Sequence, residues 1–116
     1  MVEVIGIKNC NTVKKTLDWL NENGTEWQLR DVKKDPLTPQ ELADLVGKLG
    51  IETLANTKGR KWKNLGLADK ELSDNDMFEV LLENQTAIKR PVLISGQSIM
   101  VGFDESSLEE FLAAEE

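Results

Sequence analysis

The chain has no histidine and a single cysteine. Without histidine, a Ser-His or Cys-His nucleophile pair and a His-ligated zinc site are excluded, and no metal is expected. One cysteine forms no intramolecular disulfide, so any redox cycle has to pair Cys10 with a thiol of another molecule. No apolar run approaches the roughly 20 residues of a membrane span. A signal pattern is also missing, because Glu3 interrupts the N-terminus and no long apolar core follows Lys8. The expected location is cytoplasmic, with no membrane partner. Basic excess is absent too: 14 Lys+Arg against 21 Asp+Glu leave a formal charge of −7. That balance opposes a phosphate backbone, so no direct nucleic-acid partner is expected. No Gly/Ser-rich linker or composition shift divides the 116 residues, and one domain over 1–116 is expected.

What is present is concentrated in the first dozen residues. Residues 2–7 are mostly apolar and β-branched without clean alternation, as in a central strand buried on both faces. Cys10 follows, immediately before a helix expected from about Thr12 to Asn23, with Val13, Leu17 and Leu20 on one face. A thiol placed there meets unpaired backbone N–H groups and the positive end of the helix dipole, both of which favour thiolate. Lys8, Lys14 and Lys15 lie nearby in sequence and act in the same direction. The competing reading is a buried small hydrophobe. Asn11 and Thr12 are candidates to cap the helix, and a Thr12 hydroxyl would be able to donate to the sulfur.

Further along, Glu26 to Val32 reads as a second strand, which makes a βαβ unit with a parallel first pair. Thr38-Pro39-Gln40-Glu41 is a helix start with a cap, a proline in the first turn and an acidic residue behind it. Leu42, Leu45, Val46 and Leu49 form its buried stripe. Between Ile51 and Lys70 the pattern weakens to short helical turns around a basic patch of Lys58, Arg60, Lys61 and Lys63 with Trp62. Such a patch reads as a solvated face, or as one that steers an acidic ligand. Ser73 opens a helix ending near Asn84, and residues 90–102 read as a β-hairpin turning at Ser95-Gly96-Gln97. A helix from Glu105 to about Ala114 closes the order, followed by two glutamates that read as a frayed end. Arg90 stands before Pro91 at a strand start. That is either a plain junction or a cis peptide bringing Arg90 near Cys10, where its guanidinium would bind a carboxylate or oxyanion.

Ile5-Gly6-Ile7-Lys8-Asn9-Cys10-Asn11-Thr12-Val13-Lys14-Lys15, Asn56-Thr57-Lys58-Gly59 before Trp62, Lys63-Asn64-Leu65-Gly66-Leu67 and Lys89-Arg90-Pro91-Val92-Leu93 together carry a recognisable pattern. In these stretches the chain resembles the arsenate reductase (ArsC)/Spx family, most closely its YffB-like branch. The resemblance implies an α/β thioredoxin-like mixed sheet flanked by helices, in the order β-α-β, a helical insertion over about 37–86, then β-β-α. It also implies a cis-proline at Pro91 facing the cysteine loop. Of the arginines that arsenate reductases of this family use, Arg90 matches one. Asn56 stands where the insertion's arginine is expected, and Met100-Val101-Gly102 where the third would lie. Spx-type regulators, which bind RNA polymerase, often carry a Cys-x-x-Cys switch; Val13 occupies the second cysteine position here. The YffB-like branch implies a glutathione-dependent thiol-disulfide reductase. Cys10 would be its nucleophile, Asn11, Thr12 and Lys14 would stabilise the thiolate, and Lys8, Arg90 and Pro91 would bind glutathione. Its partners would be glutathione as cosubstrate and a disulfide or oxidised substrate, with glutaredoxin as a candidate assistant. An Spx-like adaptor for RNA polymerase and a divergent arsenate reductase are the alternatives.

Overall fold

The structure, a computed structural model, describes residues 1–114; the two glutamates read as a frayed end lie outside them. By its packing the chain divides into two compact units, residues 1–35 with 90–116 and residues 36–89. The helical insertion expected over about 37–86 falls inside the second.

The first unit is a four-stranded mixed sheet in the order β2-β1-β3-β4 with two helices. Strand β1 (Val2–Gly6) pairs in parallel with β2 (Trp27–Asp31), Val2 facing Trp27 and Gly6 facing Asp31. On its other side β1 pairs antiparallel with β3 (Val92–Ser95), Val4 opposite Leu93. Its interior position explains why every residue of it except the exposed Glu3 is buried. Val2 and Val4 enter a core with Leu20, Leu93, Leu108 and Phe111, while Ile5 is buried on the opposite face. Helix α1 (Asn11–Glu22) supplies Leu20 and α6 (Glu105–Ala113) supplies Leu108 and Phe111. Asp104 caps α6 by accepting the Ser107 N–H at 3.1 Å. Strand β4 (Ser98–Val101) returns from β3 through Gly96-Gln97, with Gly96 at φ +59°. A positive φ at the first of two linking residues is the pattern of a type II′ turn. A β-α-β segment followed by a β-hairpin and a helix, on a sheet of this order, is a thioredoxin-like α/β fold.

The second unit is helical: α2 (Pro39–Leu49), α3 (Ile51–Leu54), α4 (Arg60–Asn64), α5 (Asp74–Glu83) and a 3-10 turn (Gln85–Ala87). The start of α2 is a complete capping box. Thr38 Oγ1 accepts the Glu41 N–H and Glu41 returns its carboxylate to the Thr38 N–H. Leu42 and Leu45 are buried as the stripe predicts, whereas Val46 and Leu49 are only half-buried. Gln85 is an unanticipated core residue: its amide holds both the N–H and the C=O of Leu37, at 2.7 and 2.8 Å. Among the described residues no helix is long and apolar enough to cross a membrane.

Candidate functional site around Cys10

Strand β1 ends at Gly6, and a turn through Lys8 and Asn9 delivers Cys10 to the start of α1. The expected helix start is one residue late. Asn11 is already helical, and Cys10 itself is the N-cap, with extended φ −103° and ψ 127°. Its C=O accepts the first helical bond, from Lys14 N–H at 3.0 Å. Neither Asn11 nor Thr12 is therefore the cap, because both are inside the first turn. The sulfur occupies the place normally held by a capping oxygen.

No N–H reaches Sγ with strict cap geometry. The Val13 and Thr12 amides nonetheless aim partial positive charge at it, which is the interaction a thiolate gains from a helix N-terminus. Partial burial of Cys10 pushes its pKa up. The Val13 and Thr12 N–H groups, then the charge and hydrogen bond of the Arg90 guanidinium, outweigh it, and the thiol lies below its ordinary value. Thr12 thus acts through its amide, while its C=O accepts the buried Thr16 hydroxyl at 2.8 Å. Lys8, Asn11 and Lys14 carry exposed side chains around the half-buried cysteine. The Arg90-Pro91 peptide is cis, and Arg90 is brought to the sulfur. Pro91 is buried and its C=O accepts the Gly102 N–H at 2.8 Å, tying it to the end of β4.

How closely α1 seats on the sheet depends on Gly6. A Cβ at that position would stand 2.7 Å from Val13 Cγ2, well inside the 3.5–4.0 Å of ordinary carbon contacts. The residue whose N–H faces the sulfur is therefore seated by a hydrogen in place of a side chain. A second residue absent from the sequence reading is Asp31, which hydrogen-bonds to the cysteine loop. A cavity of about 370 Å³ along the edge strand β2 is lined by Glu3, Gln28, Leu29, Arg30, Asp31, Lys34 and Asp35. Cys10 does not line it.

A family model for the ArsC family matches residues 5–111. The chain belongs to the ArsC family. An uncharacterized protein of Haemophilus influenzae is 36% identical over 114 residues, covering 97% of this chain and 100% of that one. The Spx 2 global transcriptional regulator of Lactococcus lactis is 25% identical over 114 residues, 97% of this chain and 86% of the regulator. Among solved structures, a YffB protein superposes with a TM-score of 0.89 at 29% identity, covering 97% and 99% of the two chains. The chain is thus similar both to an Spx regulator and to a YffB protein.

Proposed function

We propose that the protein is a glutathione-dependent thiol-disulfide reductase with Cys10 as its single nucleophile. The observation that carries this reading is the thiol held below its ordinary pKa at a helix start beside Arg90. In the first step the Cys10 thiolate attacks the glutathione sulfur of a glutathionylated substrate. The old S–S bond breaks, the substrate thiolate leaves and takes up a proton, and Cys10 is left in a mixed disulfide with glutathione. A second glutathione thiolate then attacks the glutathione sulfur of that mixed disulfide. Cys10 thiolate is released and oxidised glutathione departs with the substrate's two-electron oxidising equivalent. A lone cysteine suits this cycle because the second thiol is supplied by glutathione.

Arg90 has two roles in this scheme: it stabilises the Cys10 thiolate, and its planar fork suits a glutathione carboxylate. Lys8, exposed in the loop ahead of the cysteine, adds charge of the same sign, and Pro91, buried and joined to Arg90 by the cis peptide, stands immediately before β3. A cytoplasmic setting rich in reduced glutathione fits such a catalyst. Arsenate reduction fits less well, since Asn56 and Met100-Val101-Gly102 stand where the resemblance calls for arginines. The likeness to an Spx regulator supports a second reading, an adaptor that binds RNA polymerase with Cys10 as a sensor.

Turnover separates the two. Reduction of a glutathionylated peptide, coupled through glutathione reductase to NADPH oxidation, should proceed with the wild-type protein and fail with Cys10→Ser. Full activity in Cys10→Ser would sink the reductase reading. Absence of turnover together with stoichiometric capture of RNA polymerase would favour the adaptor.

A further inference from the structure

Asp31, the last residue of β2, is bonded in four directions. Its Oδ1 accepts the Lys33 N–H at 2.9 Å and its Oδ2 accepts the Lys8 N–H at 3.3 Å. Its own C=O accepts the N–H groups of Lys34 and Asp35, at 3.0 and 2.8 Å, and so closes the turn that ends the strand. Across the sheet Asp31 is in register with Gly6, whose C=O accepts the Val32 N–H at 2.9 Å. One carboxylate thus joins the rigid end of β2 to the backbone two residues ahead of Cys10.

We propose that Asp31 is a positioning residue for Cys10: by holding the Lys8 N–H it fixes the path of the loop that sets the sulfur at the start of α1. The backbone from Gly6 to Cys10 is held by hydrogen bonds of Gly6 C=O to Val32, Lys8 N–H to Asp31, and Cys10 C=O to Lys14. Of these, the middle one depends on a side chain. Its acceptor is charged, and hydrogen bonds to an ionised acceptor are about twice as strong as neutral ones. The Lys33 N–H foremost, with the Lys8 N–H and the charges of Lys34 and Lys33, holds the Asp31 carboxyl below the usual carboxylate range despite the opposing effect of desolvation. The anion therefore persists throughout the range in which a thiol titrates. The inference rests on Cys10 being the reactive thiol but not on glutathione being its partner.

The direction of the effect separates positioning from simple charge. As a nearby anion, Asp31 disfavours the thiolate, so deleting its charge alone would lower the Cys10 pKa and speed alkylation. As a positioning residue it favours the thiolate, so its loss should raise the pKa. The experiment is the rate of iodoacetamide alkylation of Cys10 against pH in the wild-type protein, Asp31→Ala and Asp31→Asn, each checked for folding by circular dichroism. The expected result is a midpoint displaced upward and alkylation at pH 7 slowed several-fold in Asp31→Ala. Asp31→Asn should fall between, since its amide oxygen accepts one of the two N–H groups; it also carries the test if Asp31→Ala does not fold. An unchanged or lowered midpoint in folded variants would overturn the inference. A wild-type midpoint below the ordinary value with no glutathione adduct would instead overturn the glutathione reading, leaving the Asp31 comparison intact.

Discussion

Replacing Gly6 by alanine tests how the cysteine site is seated. The backbone of Gly6 lies in an ordinary strand and not in the positive-φ region, so alanine is compatible with its backbone conformation. The obstacle is one contact. The new Cβ would lie 2.7 Å from Val13 Cγ2, while Val13 Cγ1 and Cβ are at 3.8 and 3.9 Å. A separation of 3.5–4.0 Å is required, so the two elements must part by about 1 Å. Val13 cannot readily turn aside, because a β-branched residue in a helix has one strongly preferred rotamer. Overpacking of this kind costs about 1–3 kcal/mol, and in a chain of this size each kcal/mol lowers Tm by about 4 °C. Urea unfolding should therefore show Gly6→Ala destabilised within that range. Its Cys10 alkylation midpoint should rise, since α1 carries the Val13 amide away with it. The double variant Gly6→Ala with Val13→Ala removes the clashing methyl. It should be more stable than the sum of the single losses implies, by about 0.5–3 kcal/mol, the scale of contact coupling. Wild-type stability in Gly6→Ala, or strict additivity in the double variant, would refute the reasoning.

Arg90→Met should raise the Cys10 midpoint and slow alkylation at pH 7, with Arg90→Lys recovering part of the loss; an unmoved midpoint in Arg90→Met would deny the guanidinium its part in the site. Gln85→Ala should cost about 2–6 kcal/mol in urea unfolding, because both backbone groups of Leu37 lose their partner and each buried orphan costs about 1–3 kcal/mol; a loss below about 1 kcal/mol would mean that another group replaces it. The Cys10 pKa also sets a pH dependence. Since the folded value is depressed, the thiolate's contribution to stability is fully present above the unfolded value of about 8.5 and is lost as pH falls through the folded value. The reduced protein should therefore gain stability relative to Cys10→Ser as pH rises across that window, and parallel stability curves for the two would contradict the shift.

Features written locally were legible in the sequence. The Thr38-Pro39-Gln40-Glu41 start became a capping box with both hydrogen bonds made, and the two residues Gly96-Gln97 became the hairpin link. Cys10 was recognisable because a strand, a polar turn and a helix start can be read within about a dozen residues. The cap differs for a local reason as well: Asn11 and Thr12 are strong capping types, yet Cys10 holds the cap position. What remained hidden depends on distant pairing. Asp31 meets Lys8 across 23 residues, and Gln85 meets Leu37 across 48. Neither has a periodicity or a motif, so only the folded sheet and the packed helices bring the partners together. Gly6 belongs to the same class. Its place in an apolar run gives no sign that Val13 presses against its α-carbon.

The central claim is that Cys10 is a thiolate-forming nucleophile that cycles through a glutathione adduct. Its most direct test is the pH dependence of Cys10 alkylation in the wild-type protein, read together with intact-mass detection of the adduct. The account predicts a midpoint below the ordinary value of about 8.5, with an adduct formed by oxidised glutathione and removed by reduced glutathione. An ordinary midpoint with no adduct would contradict it.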